Sequence, residues 1–290
     1  MTHSPKPAPT TSPPKWPSSC GPVASTPYTA GMAQSRLAEF VHCARTLGET
    51  HSAQARILWR LTKNLRVRLG LARHHPASLY SLETTFGPLW LRDNFGDITN
   101  LPGLLARGVY QWRELTGPGL ILDVGANIGL AARWFARFNP GRPIVCCEPL
   151  PENIEIIRRN CPQAHIVAAA IGDAPGMVDL LTDADGVIAS SIPTAWNSSR
   201  RTFPVRTLDE CAAEFGWGEV ALLKMDAEGM EPAILRGARQ LLARTARVVA
   251  ETHGRAGHDE VQVLLREAGF RVTEERFGAH TGMVFAARGV

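Results

Sequence analysis

No stretch of about 18 apolar residues, the minimum for a membrane-spanning helix, occurs anywhere in the 290-residue chain. The N-terminus lacks the apolar core of a secretory signal, so the expected location is the cytoplasm. Cysteine is sparse and never paired as CxxC, which removes the usual zinc and dithiol patterns. Cys20, Cys43, Cys146, Cys147, Cys161 and Cys211 read as buried free thiols, suited to a reducing compartment. An excess of charge is missing too. The formal balance of +4 is mild, whereas nucleic-acid-binding domains usually show a concentrated basic face, so no nucleic-acid partner is expected. A homo-oligomer is left open.

Proline and leucine mark out the first part of the chain. Residues 1–30 contain Pro5, Pro7, Pro9, Pro13, Pro14, Pro17, Pro22 and Pro27, a density that forbids helix and predicts a solvated tail. Residues 31–116 read as a helical extension followed by a small subdomain. Over 32–74, Ile57, Leu58, Leu61, Leu65 and Leu69 recur at helical spacing as one apolar stripe. Arg56, Arg60, Lys63, Arg66, Arg68 and Arg73 occupy the other faces. The expectation is a packed helix with a solvated basic face; docking to a membrane surface or an acidic partner is the alternative. Residues 79–116 carry short mixed elements, with a turn at Gly87-Pro88.

From 117 to 290 short apolar runs alternate with helical segments. GLILDVG, PIVCCE, AHIVAAAIG, EVALLKMD and ARVVAET read as five buried strands, with helices between them. Such alternation predicts an α/β domain with a mostly parallel sheet covered on both faces. FRVTEER and GMVFAAR follow each other with no helix between, so they must close the sheet as an antiparallel pair. LDECAAEFG reads as a helix opened by Asp209 or its neighbour, and residues 183–203 read as a loop.

The chemistry gathers at the strand ends. Asp123-Val-Gly-Ala-Asn-Ile-Gly129 ends the first strand. Gly125 permits a tight turn beside a ligand, and Gly129 lets the next helix begin close to the strand. The loop is not GxGxxG, because Asn127 stands where a dinucleotide loop needs glycine. Asp123 and Asn127 suit the ammonium of an amino-acid moiety better than a pyrophosphate. Glu148 ends the second strand, where a carboxylate can accept from ribose hydroxyls. Asp173, after the third, can accept from an adenine amino group or serve a turn. Asp226 and Glu228 end the fourth strand, with Glu231 in the following helical turn, where it serves the helix dipole. Lys224 reads as a partner for a carboxylate. Glu251-Thr252-His253 ends the fifth strand, and a histidine there can take a proton from a hydroxyl. Asp226 with Glu251 or His253 could instead hold a divalent cation, but metal-free chemistry is the reading adopted.

LDVGANIG, CEPLPENIEIIRRN, AIGD, VRTLDE, LLKMDAEGMEPAILRGA and AETHG together resemble the FkbM-type methyltransferases, in order and spacing over residues 117–255. The resemblance implies a class I, Rossmann-like methyltransferase fold, with S-adenosylmethionine as cofactor. The implied activity is O-methylation of a hydroxyl on a sugar, polyketide or other small natural product. It carries Asp123, Gly125, Asn127, Gly129 and Glu148 to cofactor binding, and places Asp226, Glu228 and His253 near the acceptor. Two rivals remain: an NAD-dependent oxidoreductase and a non-catalytic cofactor-binding partner protein. Acceptor choice is expected in residues 31–110 and in the 183–203 loop, where Trp196 can stack on a sugar or aromatic ring or pack the loop down, and Ser190, Ser191, Asn197 and Arg200 can read hydroxyls or an acidic group.

Overall fold

A computed structural model describes residues 36–183, 189–190, 197–275 and 281–288. The proline-rich stretch, Ser191 and Trp196 lie outside the described residues, as does Cys20.

The extension begins with three helices, α1 (Arg36–Leu47), α2 (His51–Leu61) and α3 (Lys63–Arg68). The expected single helix is therefore broken twice. Thr50 ends the first gap by accepting a hydrogen bond from the Ala53 N–H at 3.1 Å, a side-chain N-cap. Only the first part of the apolar stripe is buried. Ile57 and Leu61 lie in the core, whereas Leu65 and Leu69 are 56% and 62% exposed, so the stripe ends with α2. A hairpin follows, β1 (His75–Thr84) and β2 (Gly87–Asp93), then α4 (Gly96–Asn100) and a wide π-type turn over Leu101–Arg107.

The α/β part runs β3 (Leu120–Val124), α5 (Leu130–Phe138), β4 (Ile144–Cys147), α6 (Pro151–Asn160), β5 (His165–Val167), β6 (Ala170–Ile171), β7 (Gly176–Asp183), β8 (Ala189–Ser190), β9 (Asn197–Arg206) and α7 (Leu208–Glu214). It continues through β10 (Val220–Met225), α8 (Glu231–Arg236), α9 (Arg239–Ala243), β11 (Arg247–His253), α10 (Arg255–Glu267), β12 (Arg271–Glu275) and β13 (Thr281–Ala287). The main sheet has the order β12-β13-β11-β10-β3-β4-β5. Its strands are parallel except β13, which runs antiparallel to both β11 and β12. The closing pair is thus antiparallel as expected, and its second strand inserts beside β11. Every residue of β3, β4 and β10 is buried, the signature of strands covered by helices on both faces.

Three local readings change. The expected third strand splits: the chain leaves the main sheet after β5, and β6 joins a four-stranded sheet of order β6-β9-β7-β8. Residues 197–203 of the expected 183–203 loop belong to strand β9, paired antiparallel with β7. Among the described side chains of β9 only Phe203 is buried, packed with Leu180, so its apolar signal is weak. Finally, α7 is opened by Thr207 with a capping box to Glu210. Asp209 instead accepts from the Gln240 and Leu241 N–H groups and caps α9.

Residues 36–115 share one apolar core with the sheet: Leu47, Ile57, Leu61, Leu82 and Leu91 pack in the same cluster as Trp134 and Phe135 of α5. Cys43, Cys146, Cys147, Cys161 and Cys211 are buried and unpaired. Among the described residues, no helix is long and apolar enough to cross a membrane.

Candidate active site

The carboxyl ends of β3, β4 and β10 open into one cleft. Its empty space is about 650 Å³, counting its solvent-filled mouth. Gly125, Asn127 and Glu148 line one side, Ala170, Ile171 and Leu180 the floor, and Asp226, Glu228 and Met230 the other side.

Gly125 is required by the protein's own backbone. Its φ is +70°, and a Cβ there would sit 1.8 Å from the Asp226 carbonyl oxygen. The loop after β3 therefore runs hard against the end of β10, which joins the two halves of the cleft. Asn127, also at positive φ, donates its N–H to Glu148 Oε2 at 2.8 Å. Glu148 Oε1 accepts from the Leu150 N–H at 3.1 Å and from Asn153 Nδ2 at 3.0 Å. A carboxylate has about four acceptor sites, so one remains open, on the oxygen shared with Asn127. Burial pushes the Glu148 carboxyl up to about 7, against these hydrogen bonds.

Three of the expected cofactor residues do not line the cleft. Asp123 is fully buried and forms a 2.8 Å ion pair with Lys224, which also donates to the Gly125 carbonyl at 2.8 Å. Asp123 thus reaches the loop through Lys224, the carboxylate partner that its sequence position suggested. Burial disfavours the ammonium, but Asp123 outweighs it and keeps Lys224 charged. Gly129, at φ +78°, starts α5 beside Ile157. Asp173 has a half-exposed side chain, 3.5 Å from Arg236.

The second centre joins Asp226, Glu228 and His253. The His253 imidazole meets Glu231 Oε1 through Nδ1 at 3.0 Å. That leaves Nε2 facing Glu228 Oε2 at 3.5 Å and Asp226 Oδ1 at 3.9 Å. The same Glu231 oxygen accepts from the Ala227 and Gly229 N–H groups, so one buried carboxylate sets both the 226–230 turn and the imidazole. Burial alone would lower the His253 pKa. The Glu231 hydrogen bond and the Asp226 and Glu228 charges overcome it and raise it to about 9. Burial lifts Glu228 to about 7, and the Asp226 charge, then burial, lifts Glu251 to about 7. Ligand atoms of Asp226, Glu228 and His253 all lie within 4.8 Å of one another, so this set could also hold a metal ion.

Three contributors escaped the sequence reading. Glu231 looked like a helix-dipole residue. Arg92 comes from the extension: it grips Asp97 at 3.0 Å and reaches Asn127 Oδ1 at 3.5 Å. Tyr110 is buried, with its ring 5.9 Å from Lys224 Nζ, and burial pushes its phenol above the usual range. Arg92 and Tyr110 sit in no motif; only the tertiary fold brings them beside Asn127 and Lys224. Asn197 and Arg200 fall on β9, where Arg200 is exposed and 3.7 Å from Asp179.

A parallel sheet closed by a reversed β13 between β11 and β12, with a glycine turn after β3 and a carboxylate after β4, is the class I methyltransferase fold. The chain belongs to the FkbM methyltransferase domain family, whose model matches residues 123–272. It is 26% identical over 151 residues to the 2-O-methyltransferase NoeI of Sinorhizobium fredii, covering 46% of this chain and 62% of that protein. It is 28% identical over 202 residues to the 31-O-demethyl-FK506 methyltransferase FkbM of Streptomyces tacrolimicus, covering 56% and 76%. A crystal structure of methyltransferase FkbM from Methylobacillus flagellatus KT aligns with a TM-score of 0.41 at 14% identity, over 85% of this chain and 58% of that one. The chain therefore spans less than two thirds of the length of NoeI and of the Methylobacillus protein.

Proposed function

We propose that this protein transfers a methyl group from S-adenosylmethionine to a hydroxyl oxygen of a small molecule, without a metal ion. The carrying observation is that Glu148, with an open acceptor site, lines the same cleft as Asp226 and Glu228, with His253, held by Glu231, directly behind them at 3.5 Å from Glu228. Glu148 suits a ribose hydroxyl, and the acceptor-rich Asp226–Glu228 edge suits polar and cationic groups. When bound, the cofactor supplies a sulfonium methyl already activated for displacement.

The chain's own part is alignment and proton removal. An alcohol is a weak nucleophile at neutral pH, so its proton must leave as the oxygen attacks. His253 is the proposed base. With Nδ1 committed to Glu231, Nε2 faces the Glu228 and Asp226 carboxylates at the edge of the cleft; in its unprotonated form it takes the hydroxyl proton, and the new imidazolium is stabilised by Asp226 and Glu228. Glu228 orients the acceptor hydroxyl, and Asp226 is the second candidate for base. NoeI, a 2-O-methyltransferase, and the Streptomyces 31-O-demethyl-FK506 methyltransferase are both named for oxygen acceptors. Sugars, polyketides and other hydroxylated natural products are therefore the proposed substrate class. The five buried unpaired cysteines suit a reducing compartment, and the cytoplasm is the proposed location.

The test is a transfer screen with methyl-labelled cofactor against hydroxylated sugars, polyketides and small carboxylates. The expected product carries the label in a base-stable ether. Label in an amine or a base-labile ester, or nicotinamide reduction in place of transfer, contradicts the reading.

A further inference from the structure

Between Glu49 and Glu83 the chain has no acidic residue and carries Arg56, Arg60, Lys63, Arg66, Arg68 and Arg73. That local charge exceeds the +4 of the whole protein. Asp93 takes up two of the six: Lys63 hydrogen-bonds it and Arg60 lies 3.8 Å away. Arg56, Arg66, Arg68 and Arg73 enter no ion pair among the described residues.

The same surface is apolar. Trp59, Leu65, Leu69, Leu71 and Phe95 are 51–72% exposed, and they are five of the ten exposed large apolar side chains among the described residues. They form one patch. The Arg66 guanidinium lies 3.3 Å over the Trp59 ring, and its backbone carbonyl accepts from the Leu71 N–H. Asn64 Nδ2 donates to the Phe95 carbonyl at 3.1 Å, and Arg68 sits 5.9 Å from the Phe95 ring. Exposed leucines scattered singly are ordinary; a cluster with interleaved cations marks an interaction surface.

We propose that the α2–α3 surface docks this protein onto an anionic lipid bilayer. Tryptophan and leucine beside guanidinium groups is the composition of a helix lying in a membrane interface, where apolar side chains enter the acyl boundary and the cations meet headgroup phosphates. A nucleic acid would engage the arginines and leave the leucines in water. The chain's first 35 residues hold no acidic residue, so they offer no charge complement. The proposal does not depend on the methyl-transfer reading.

Sedimentation of the full chain with vesicles tests it. Phosphatidylcholine vesicles containing phosphatidylglycerol should carry the protein down, pure phosphatidylcholine should not, and binding should weaken as salt rises. Arg68→Gln with Arg73→Gln should lower the partition coefficient about 25-fold, the product of two surface charges. Leu65→Ser with Leu69→Ser should weaken it comparably, at an unchanged melting temperature. Brominated lipid should quench Trp59 in the unaltered protein, and the quenching should be lost in Trp59→Tyr. Equal binding to neutral vesicles, no binding to anionic ones, variants that bind like wild type, or retention on a nucleic-acid polymer without retention on vesicles overturns it.

Discussion

At the residue scale the chemistry turns on one proton. His253 carries a pKa raised from 6.5 to about 9, so in the free protein at neutral pH it is mostly imidazolium. A base must be unprotonated, and kcat/KM is therefore expected to climb with pH and level off above about 9. Asp226→Asn removes a charge that favours the imidazolium, so the inflection should move to lower pH; a profile flat from pH 6 to 10 removes His253 from this role. His253→Ala should cost about 10²–10⁴-fold in turnover, the usual worth of a general base, with little change in cofactor affinity. The same shift is linked to stability. Because the folded pKa is the higher one, the contribution is full below 6.5 and is lost as pH rises through about 9. Activity surviving exhaustive chelation is the outcome expected of a metal-free site. Asp226, Glu228 and His253 were legible because strand ends in such a sheet face one crevice. The role of Glu231 was not, because a glutamate in a first helical turn looks the same whether it serves the dipole or grips a neighbouring strand's histidine.

At the scale of elements, the turn from β3 into α5 is fixed by its contact with β10. Gly125→Ala places a Cβ against the Asp226 carbonyl at positive φ. The backbone conformation alone costs about 1–3 kcal/mol, so urea unfolding should shift to lower midpoint and cofactor binding should fail with it. Lys224→Met leaves Asp123 buried without its partner and should cost about 3–5 kcal/mol; the double change Asp123→Leu, Lys224→Met should recover part of that. A Lys224→Met variant as stable as wild type would show the pair to be dispensable. The parallel sheet and its closing hairpin were readable from buried apolar runs. The β6-β9-β7-β8 sheet was not, since β9 offers a single buried apolar side chain, Phe203, in a sequence otherwise rich in serine, threonine and arginine.

At the scale of the whole molecule, the extension and the α/β part pack as one unit. The extension's leucines share a core with α5, and Arg92 touches the loop that carries Asn127. A fragment of residues 117–290 exposes Trp134 and Phe135 and is expected to aggregate or lack a cooperative melt. Arg92→Ala leaves Asp97 buried without its cation and should cost about 3–5 kcal/mol of stability as well as weaken cofactor binding. No motif in residues 36–115 announced this, because apolar packing leaves only a loose pattern in sequence and Arg92 becomes meaningful only once β2 lies beside the glycine turn. The central claim, that this cleft takes S-adenosylmethionine through Glu148, is tested most directly by calorimetric titration of wild type and Glu148→Ala with S-adenosylhomocysteine and with NAD. Wild type is expected to bind S-adenosylhomocysteine and not NAD, and to gain about 2.7 kcal/mol of stability at a hundredfold excess over Kd. Glu148→Ala is expected to stay folded and lose most of that affinity. Binding of NAD alone, or undiminished S-adenosylhomocysteine binding by Glu148→Ala, contradicts it.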